Sequence, residues 1–211
     1  MESPFCQPVL EDLKVIETFG FLTEKGFVRL EGHLSRLAGT CATLGISCDL
    51  DVCRQKLATL PVEQNLRVRL TIGISGEVDV TSVEMTPTPK IWRIAVCETR
   101  LNSADQWLRV KTTNRVLYDR ARAGLNSEVD EMIFLNEKDK VCEGTITNIF
   151  ADFGDGLVTP PTSCGLLPGI LRAELLEAGA RQEVIPFTRL TRAKRLFVGN
   201  SFRGLIPARL V

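Results

Sequence analysis

Histidine is almost missing: the 211 residues contain one, His33. A zinc site built on several histidines is excluded, and a Ser–His or Cys–His mechanism has a single residue to draw on. An excess of either charge is missing too, since 26 Lys plus Arg balance 26 Asp plus Glu. Nucleic acid and anionic membrane surfaces are normally met by a basic excess, so neither is expected as the main partner. No apolar run reaches the roughly 18 residues of a membrane-spanning helix. The first residues, MESPFCQPVLEDLK, carry acids and no signal-peptide core. The seven cysteines, at 6, 41, 48, 53, 97, 142 and 164, are odd in number and include no C-x-x-C pair. An extracellular disulfide framework would show an even count in a shorter chain. They read as buried thiols of a cytoplasmic protein. Neither G-x-x-x-x-G-K-S/T nor G-x-G-x-x-G occurs, so the common phosphate loops are excluded.

What is present is the composition of an ordinary globular protein, 44% hydrophobic and 25% charged. Leu30, Leu34, Leu37, Cys41 and Leu44 recur at helical steps, which predicts a helix that Gly45 ends. A second helix is expected over 49–60, stopped by Pro61. From Leu66 to Ile74 the period changes to two, the mark of a half-buried strand. Further strands are expected at 15–21, 78–85 and 91–97. The rest of the chain predicts a helix at 114–123, strands at 131–135 and 141–143, and a hairpin of 149–153 with 157–159. Pro168–Gly169 introduces a helix closed by Gly179, and the last strands are expected at 183–187 and 196–199. This mixture predicts α+β or barrel-like α/β domains rather than a doubly wound sheet. The boundary falls loosely in 86–105, giving a small α/β domain over 1–95 and a larger domain over 96–211.

Three segments are hard to explain by folding alone. One runs from Leu108 to Arg115, with Lys111 inside it and Tyr118 and Asp119 just beyond. The second is Glu143-Gly144-Thr145-Ile146-Thr147-Asn148-Ile149-Phe150. The third is Thr159-Pro160-Pro161 followed by Cys164 to Arg172. Each residue also has a plain reading: Lys111 as a solvated lysine, Glu143 as a strand-end acid, and the arginines as surface ion-pair members.

Taken in order with His33-Leu34-Ser35-Arg36-Leu37, these segments resemble the fold-type IV pyridoxal-phosphate enzymes, the class IV aminotransferase family. The matched patterns are H-x-x-R-L, a lysine, E-G-x-x-x-N-x-F, T-P-P and L-P-G-I-x-R. The ending Asn200-Ser201-Phe202-Arg203-Gly204-Leu205-Ile206-Pro207 is similar to the aminodeoxychorismate lyases of that family. The resemblance implies an α/β (α+β mixed) two-domain fold of the branched-chain aminotransferase and aminodeoxychorismate lyase type. Two stretches depart from the family: only Ile16-Glu17-Thr18-Phe19 matches its early G-D-G-x-F-E-type turn, and Ser75 to Asp79 replaces an arginine-containing loop.

The resemblance also implies roles. Lys111 would hold pyridoxal 5'-phosphate covalently and act as general base. Glu143 would pair with the pyridine nitrogen. Arg36, the helix-start amides of Ile170 and Leu171, and Ser201 would hold the phosphate. Ile146 and Thr147 would complete the cofactor contacts, and His33 would be a structural hydrogen-bonding residue. Arg100, Arg115 and Arg203 would take substrate carboxylates. No metal is implied. The implied reaction converts 4-amino-4-deoxychorismate to 4-aminobenzoate and pyruvate, a step of folate biosynthesis. The alternatives are aminotransfer on branched-chain or D-amino acids, or a structural relative without activity. The partner would be a small-molecule amine substrate, and the family leads one to expect a cytoplasmic homodimer.

Overall fold

Alternation decides the first sheet. In the computed structural model, which describes residues 12–61, 63–87 and 89–211, Leu66, Val68, Leu70 and Ile72 are buried while Arg67 and Arg69 face outward. Cys6 lies outside the described residues. The first contact unit contains β1 (Lys14–Leu22), β2 (Gly26–Phe27), α1 (Leu30–Leu44), α2 (Leu50–Leu57), β3 (Leu66–Gly73) and β4 (Val78–Glu84). Its sheet runs β2-β1-β3-β4, antiparallel throughout. Leu34, Leu37 and Cys41 of α1 and Cys53 and Leu57 of α2 close its core against Phe19, Val68 and Leu70. Gly45 ends α1 at φ 70°, a conformation costly to other residues. Asp49 caps α2, accepting from the amides of Asp51 and Val52.

The second unit contains β5 (Trp92–Leu101), α3 (Val116–Ala123), β6 (Glu131–Asn136), β7 (Val141–Gly144), β8 (Asn148–Asp152), β9 (Leu157–Thr159), α4 (Ile170–Glu177), β10 (Arg181–Gln182), α5 (Phe187–Leu190), β11 (Arg195–Asn200) and β12 (Gly204–Leu210). Its strand order is β10-β9-β8-β11-β12-β5-β6-β7, and β7 also pairs with β8. That last pairing closes six strands, from β8 round to β7, into a barrel. β7 and β8 are buried along their whole length, as strands covered on both faces must be. Ile94, Ile133, Val141, Ile149, Val198 and Ile206 fill one core cluster. Tyr118, Phe134, Cys142 and Leu166 belong to another.

By contacts the first unit ends at Pro87 instead of residue 95, a position inside β5, and it reclaims Val110–Asn114. Backbone pairing with β1 is the cause. The Ile16 amide donates to the Lys111 carbonyl at 2.9 Å, and the Thr113 amide to the Lys14 carbonyl at 2.8 Å. Lys111 stands in an irregular segment with one bridge, Val15 to Thr112. The strand expected at 183–187 is also absent. Pro186 lacks an amide for a ladder; it makes a single bridge to Lys140 and precedes α5. Beyond the last strand expected, Gly204–Leu210 forms a further one, β12, parallel to β5.

Candidate active site

In the first unit, β1 and α1 hold a charged cluster beside the Lys111 segment. Because strand residues alternate, Glu17 follows Ile16 onto the opposite side of β1 and is fully buried. His33 and Arg36, three apart on α1, share one helix face. Arg36 donates to Glu17 through Nε at 2.9 Å and Nη2 at 2.7 Å. His33 Nδ1 meets Glu17 Oε2 at 2.5 Å. Burial would raise the Glu17 pKa, but the Arg36 charge and the hydrogen bonds from His33 and Arg36 outweigh it and hold it below the ordinary value. Burial lowers the His33 pKa against the pull of Glu17, with the charges of Arg36 and Lys111 adding to the lowering. Lys111 is half-buried, and the neighbouring Thr112 is buried.

In the second unit, four strand ends and the start of α4 converge on the turn between β7 and β8. Glu143, near the end of β7, is buried. Its Oε1 accepts the Tyr118 hydroxyl at 2.7 Å and its Oε2 accepts the Leu167 amide at 3.1 Å. The following turn, Gly144 to Thr147, wraps around a second buried carboxylate, Glu131. Glu131 accepts from the amides of Thr145 at 3.1 Å and Ile146 at 3.2 Å, and from the hydroxyls of Thr145 and Thr147. Burial pushes the Glu131 pKa up, and those hydrogen bonds and the Arg122 charge oppose it without cancelling it. Gly144 is required here: a Cβ would lie 2.4 Å from Thr147 Oγ1 and 2.9 Å from the Glu131 carboxylate.

Three more side chains grip the same turn. Arg115 donates to the Thr145 carbonyl at 2.6 Å, Arg122 to Thr145 Oγ1, and Asn200 to the Ile146 carbonyl at 3.0 Å. Ser201 follows Asn200 and is buried. The Leu167–Leu171 stretch is tied in from its own side. Asn148 donates to the Leu167 carbonyl at 3.0 Å, and its Oδ1 stands 1.9 Å from where a Gly169 Cβ would sit. Gly169 precedes α4 and offers no side-chain cap, so the first amides of the helix, at Ile170 and Leu171, keep their donor character. Leu171 packs against Gly199 of β11.

The structure thus groups Glu143, Ile146, Thr147, Ile170, Leu171, Ser201 and Arg115 in the second unit, and Lys111 with Arg36 in the first. Arg203 donates its amide to Asn200 Oδ1, and its guanidinium lies over the rings of Trp92 and Phe202. Arg100 is engaged elsewhere: it donates to Asp139 at 3.0 Å and to the Cys97 and Glu98 carbonyls. Asp139 lies in the turn before β7, at the opposite end of that strand from Glu143. The arginine of the L-P-G-I-x-R pattern, Arg172, is buried and holds the Pro160 carbonyl and Gln182 at 2.8 Å each, which joins this pattern to T-P-P. Glu131 is the neighbour of the β7–β8 turn that the sequence does not announce, and Asn200, the first residue of the Asn200–Pro207 ending, is assigned no role of its own by the resemblance. A glutamate opening the apolar run Glu131-Met132-Ile133-Phe134-Leu135 has the same pattern as a solvated strand end.

Among the described residues no group of His, Cys, Asp and Glu is arranged to hold a metal ion, and no helix is long and apolar enough to cross a membrane. The described cysteines are free thiols, all buried except the half-buried Cys48.

Comparison with known proteins bears on what this arrangement serves. The aminodeoxychorismate lyase of Bacillus subtilis is 29% identical over 199 residues, covering 83% of this chain and 67% of that protein. A Mesorhizobium loti structure, provisionally named an amino-acid aminotransferase, is 43% identical with a TM-score of 0.88, covering 95% of this chain and 100% of that one. The 4-amino-4-deoxychorismate lyase of Pseudomonas aeruginosa shares the fold, with a TM-score of 0.79 at 24% identity over 98% of this chain and 88% of its own. The model of the family described as Amino-transferase class IV matches residues 14–211. The chain belongs to the class IV aminotransferase family of enzymes.

Proposed function

We propose that the chain is a pyridoxal-phosphate enzyme, and within that class a lyase that converts 4-amino-4-deoxychorismate to 4-aminobenzoate and pyruvate. The observation that carries the cofactor reading is Glu143: a buried carboxylate with each oxygen fixed by a donor, on a turn braced by Glu131. Such an acid suits a protonated ring nitrogen. The donor set fits the rest of the group: an amine at Lys111 for an aldehyde, and a guanidinium at Arg36 and uncapped helix amides at Ile170 and Leu171 for a phosphate. Ser201, Ile146 and Thr147 complete this set.

Bound pyridoxal phosphate supplies the electron sink that stabilises a carbanion. The residues of the chain do the remainder. Lys111 anchors the group and, as general base, takes the proton from the amine-bearing carbon. Glu143 would hold the proton on the ring nitrogen. Arg115, which touches the Glu143 turn, and Arg203, linked to it through Asn200, are the arginines this reading assigns to substrate carboxylates. Support for the lyase reaction comes from the Asn200–Pro207 ending and from the name of the Bacillus subtilis relative. Under this reading the enzyme works in the cytoplasm as a homodimer.

Aminotransfer is the second reading, favoured by the name carried by the 43% identical Mesorhizobium loti relative. The experiment begins with the near-visible absorbance of the protein with added pyridoxal phosphate, compared with Lys111→Ala. A borohydride-bleachable band in the wild type alone is the expected result, and its absence at every cofactor concentration sinks the cofactor reading. Production of 4-aminobenzoate without a keto-acid acceptor then supports the lyase. Turnover that needs an acceptor overturns it in favour of aminotransfer.

A further inference from the structure

Tyr118 is singled out beside the Lys111 segment, and the reaction above has no use for it. We propose that Tyr118 is the positioning residue for Glu143, holding it as an oriented anion so that the shared proton stays on the cofactor's ring nitrogen. The inference rests on the pyridoxal-phosphate reading and deepens it.

The geometry carries the assignment. Tyr118 is the only tyrosine in the chain, and its side chain reaches from α3 across the core of the second unit. Its ring packs edge-on against Phe134, centroids 5.1 Å apart, and the Arg115 guanidinium lies 5.0 Å from its centre. These contacts leave the hydroxyl one direction, toward Glu143 Oε1 at 2.7 Å. Leu167 takes the other oxygen through a backbone amide. Donors on both oxygens fix the plane of the carboxylate as well as its position. Burial, together with the charge of Glu143, drives the Tyr118 pKa far up, which keeps the phenol protonated and able to donate.

The chemical consequence follows from competition for one proton. A carboxylate facing a pyridine nitrogen can leave the proton on the ring or accept it. A hydrogen bond donated to the carboxylate stabilises its anion and so lowers its proton affinity. With the Tyr118 hydroxyl present, the proton stays on nitrogen and the pair is ionic. Without it, Glu143 loses both a positional restraint and part of its preference for charge, and the ionic pair weakens. Tyr118 itself need never touch the ring.

The test separates this role from simple packing. Apo wild type and apo Tyr118→Phe are titrated with pyridoxal phosphate and with its 1-deaza analogue, in which a C–H replaces the ring nitrogen, following quenching of tryptophan fluorescence. Phenylalanine keeps the ring that packs on Phe134, and thermal unfolding of the two apo proteins checks that the fold is intact. The expected result is a loss of about tenfold in affinity for pyridoxal phosphate, the size of one charge-assisted hydrogen bond. Affinity for the deaza analogue should stay within about twofold, because that ligand has no proton to share. Equal weakening toward both ligands would mean that Tyr118 only shapes the pocket, and no weakening toward either would mean that Glu143 does not depend on it; each overturns the inference. A wild type that binds neither ligand overturns the cofactor reading itself.

Discussion

Arg36 and Glu17 form a two-point ion pair in which the carboxylate has no exposed surface. His33 meets the same carboxylate, so a single buried anion organises the face of α1 that packs on β1. Removing it leaves a guanidinium and an imidazole without the group they surround. Glu17→Ala should cost about 3–5 kcal/mol, as loss of one partner from a buried pair does. The urea midpoint of the variant measures it. A cost below about 1 kcal/mol would show that Arg36 simply turns to solvent, as members of exposed pairs do.

The single histidine turns the acid response of this cluster into a direct measurement. Burial holds the His33 pKa below its ordinary 6.5. Folded His33 therefore resists a proton that the unfolded chain accepts near 6.5. Its contribution to stability is complete above that pH and is lost as the pH falls through 6.5 toward the folded value. Glu17, held below its ordinary 4.5 chiefly because the Arg36 charge overcomes burial, adds a second loss that begins as the pH drops under 4.5. One imidazole resonance, followed by NMR, should give a midpoint below 6.5, and unfolding should become easier between pH 7.5 and 5.5. A midpoint above 6.5 would mean that His33 is charged in the folded state and stabilises Glu17 as a cation.

How far these features could be seen beforehand follows their physics. The span of α1 agrees at both ends with its apolar period, because one face of a long helix is buried and its stop is a glycine at positive φ. The alternation of β3 was as plain for the same reason. The region of 183–187 misled because Val184 and Ile185 look like a strand, while Pro186 denies it a ladder. For the site, order and spacing of the patterns pointed to Lys111, Glu143 and Arg36. They could not show that Glu131 lies beneath the Glu143 turn, since that contact joins positions fourteen to sixteen residues apart through the pairing of β6 and β7. Nor could they show that Arg100 spends its guanidinium on Asp139.

Glu131 gives the turn a measurable dependence. The amides of Thr145 and Ile146 and two threonine hydroxyls end on this carboxylate, which is fully buried. Glu131→Ala should leave the Ile146 amide and the two hydroxyls without this acceptor, while the Thr145 amide keeps the Met132 carbonyl at 3.1 Å, and cost about 2–4 kcal/mol, the sum of a few unsatisfied buried groups partly relieved by water. Hydrogen exchange should locate the damage, with faster exchange at Ile146 than at Thr145, whose amide also reaches the Met132 carbonyl. Protection unchanged at the Ile146 amide would show that Arg115 and Asn200 hold the turn without help from Glu131.

Tyr118 can be followed in the same direct way at alkaline pH, since no other tyrosine contributes. Its phenol is pushed well above the ordinary 10.0, first by burial and then by the charge of Glu143. The folded protein keeps the proton that the unfolded chain gives up near 10, so stability from this group is present below 10 and is lost as the pH rises past it. Absorbance at 295 nm, where tyrosinate absorbs, should therefore stay flat through pH 10 and rise only when far-ultraviolet circular dichroism reports unfolding. A smooth rise centred near 10 with the fold intact would place the hydroxyl in water. That outcome would remove the donor from Glu143, and the carboxylate would then depend on the Leu167 amide for its orientation.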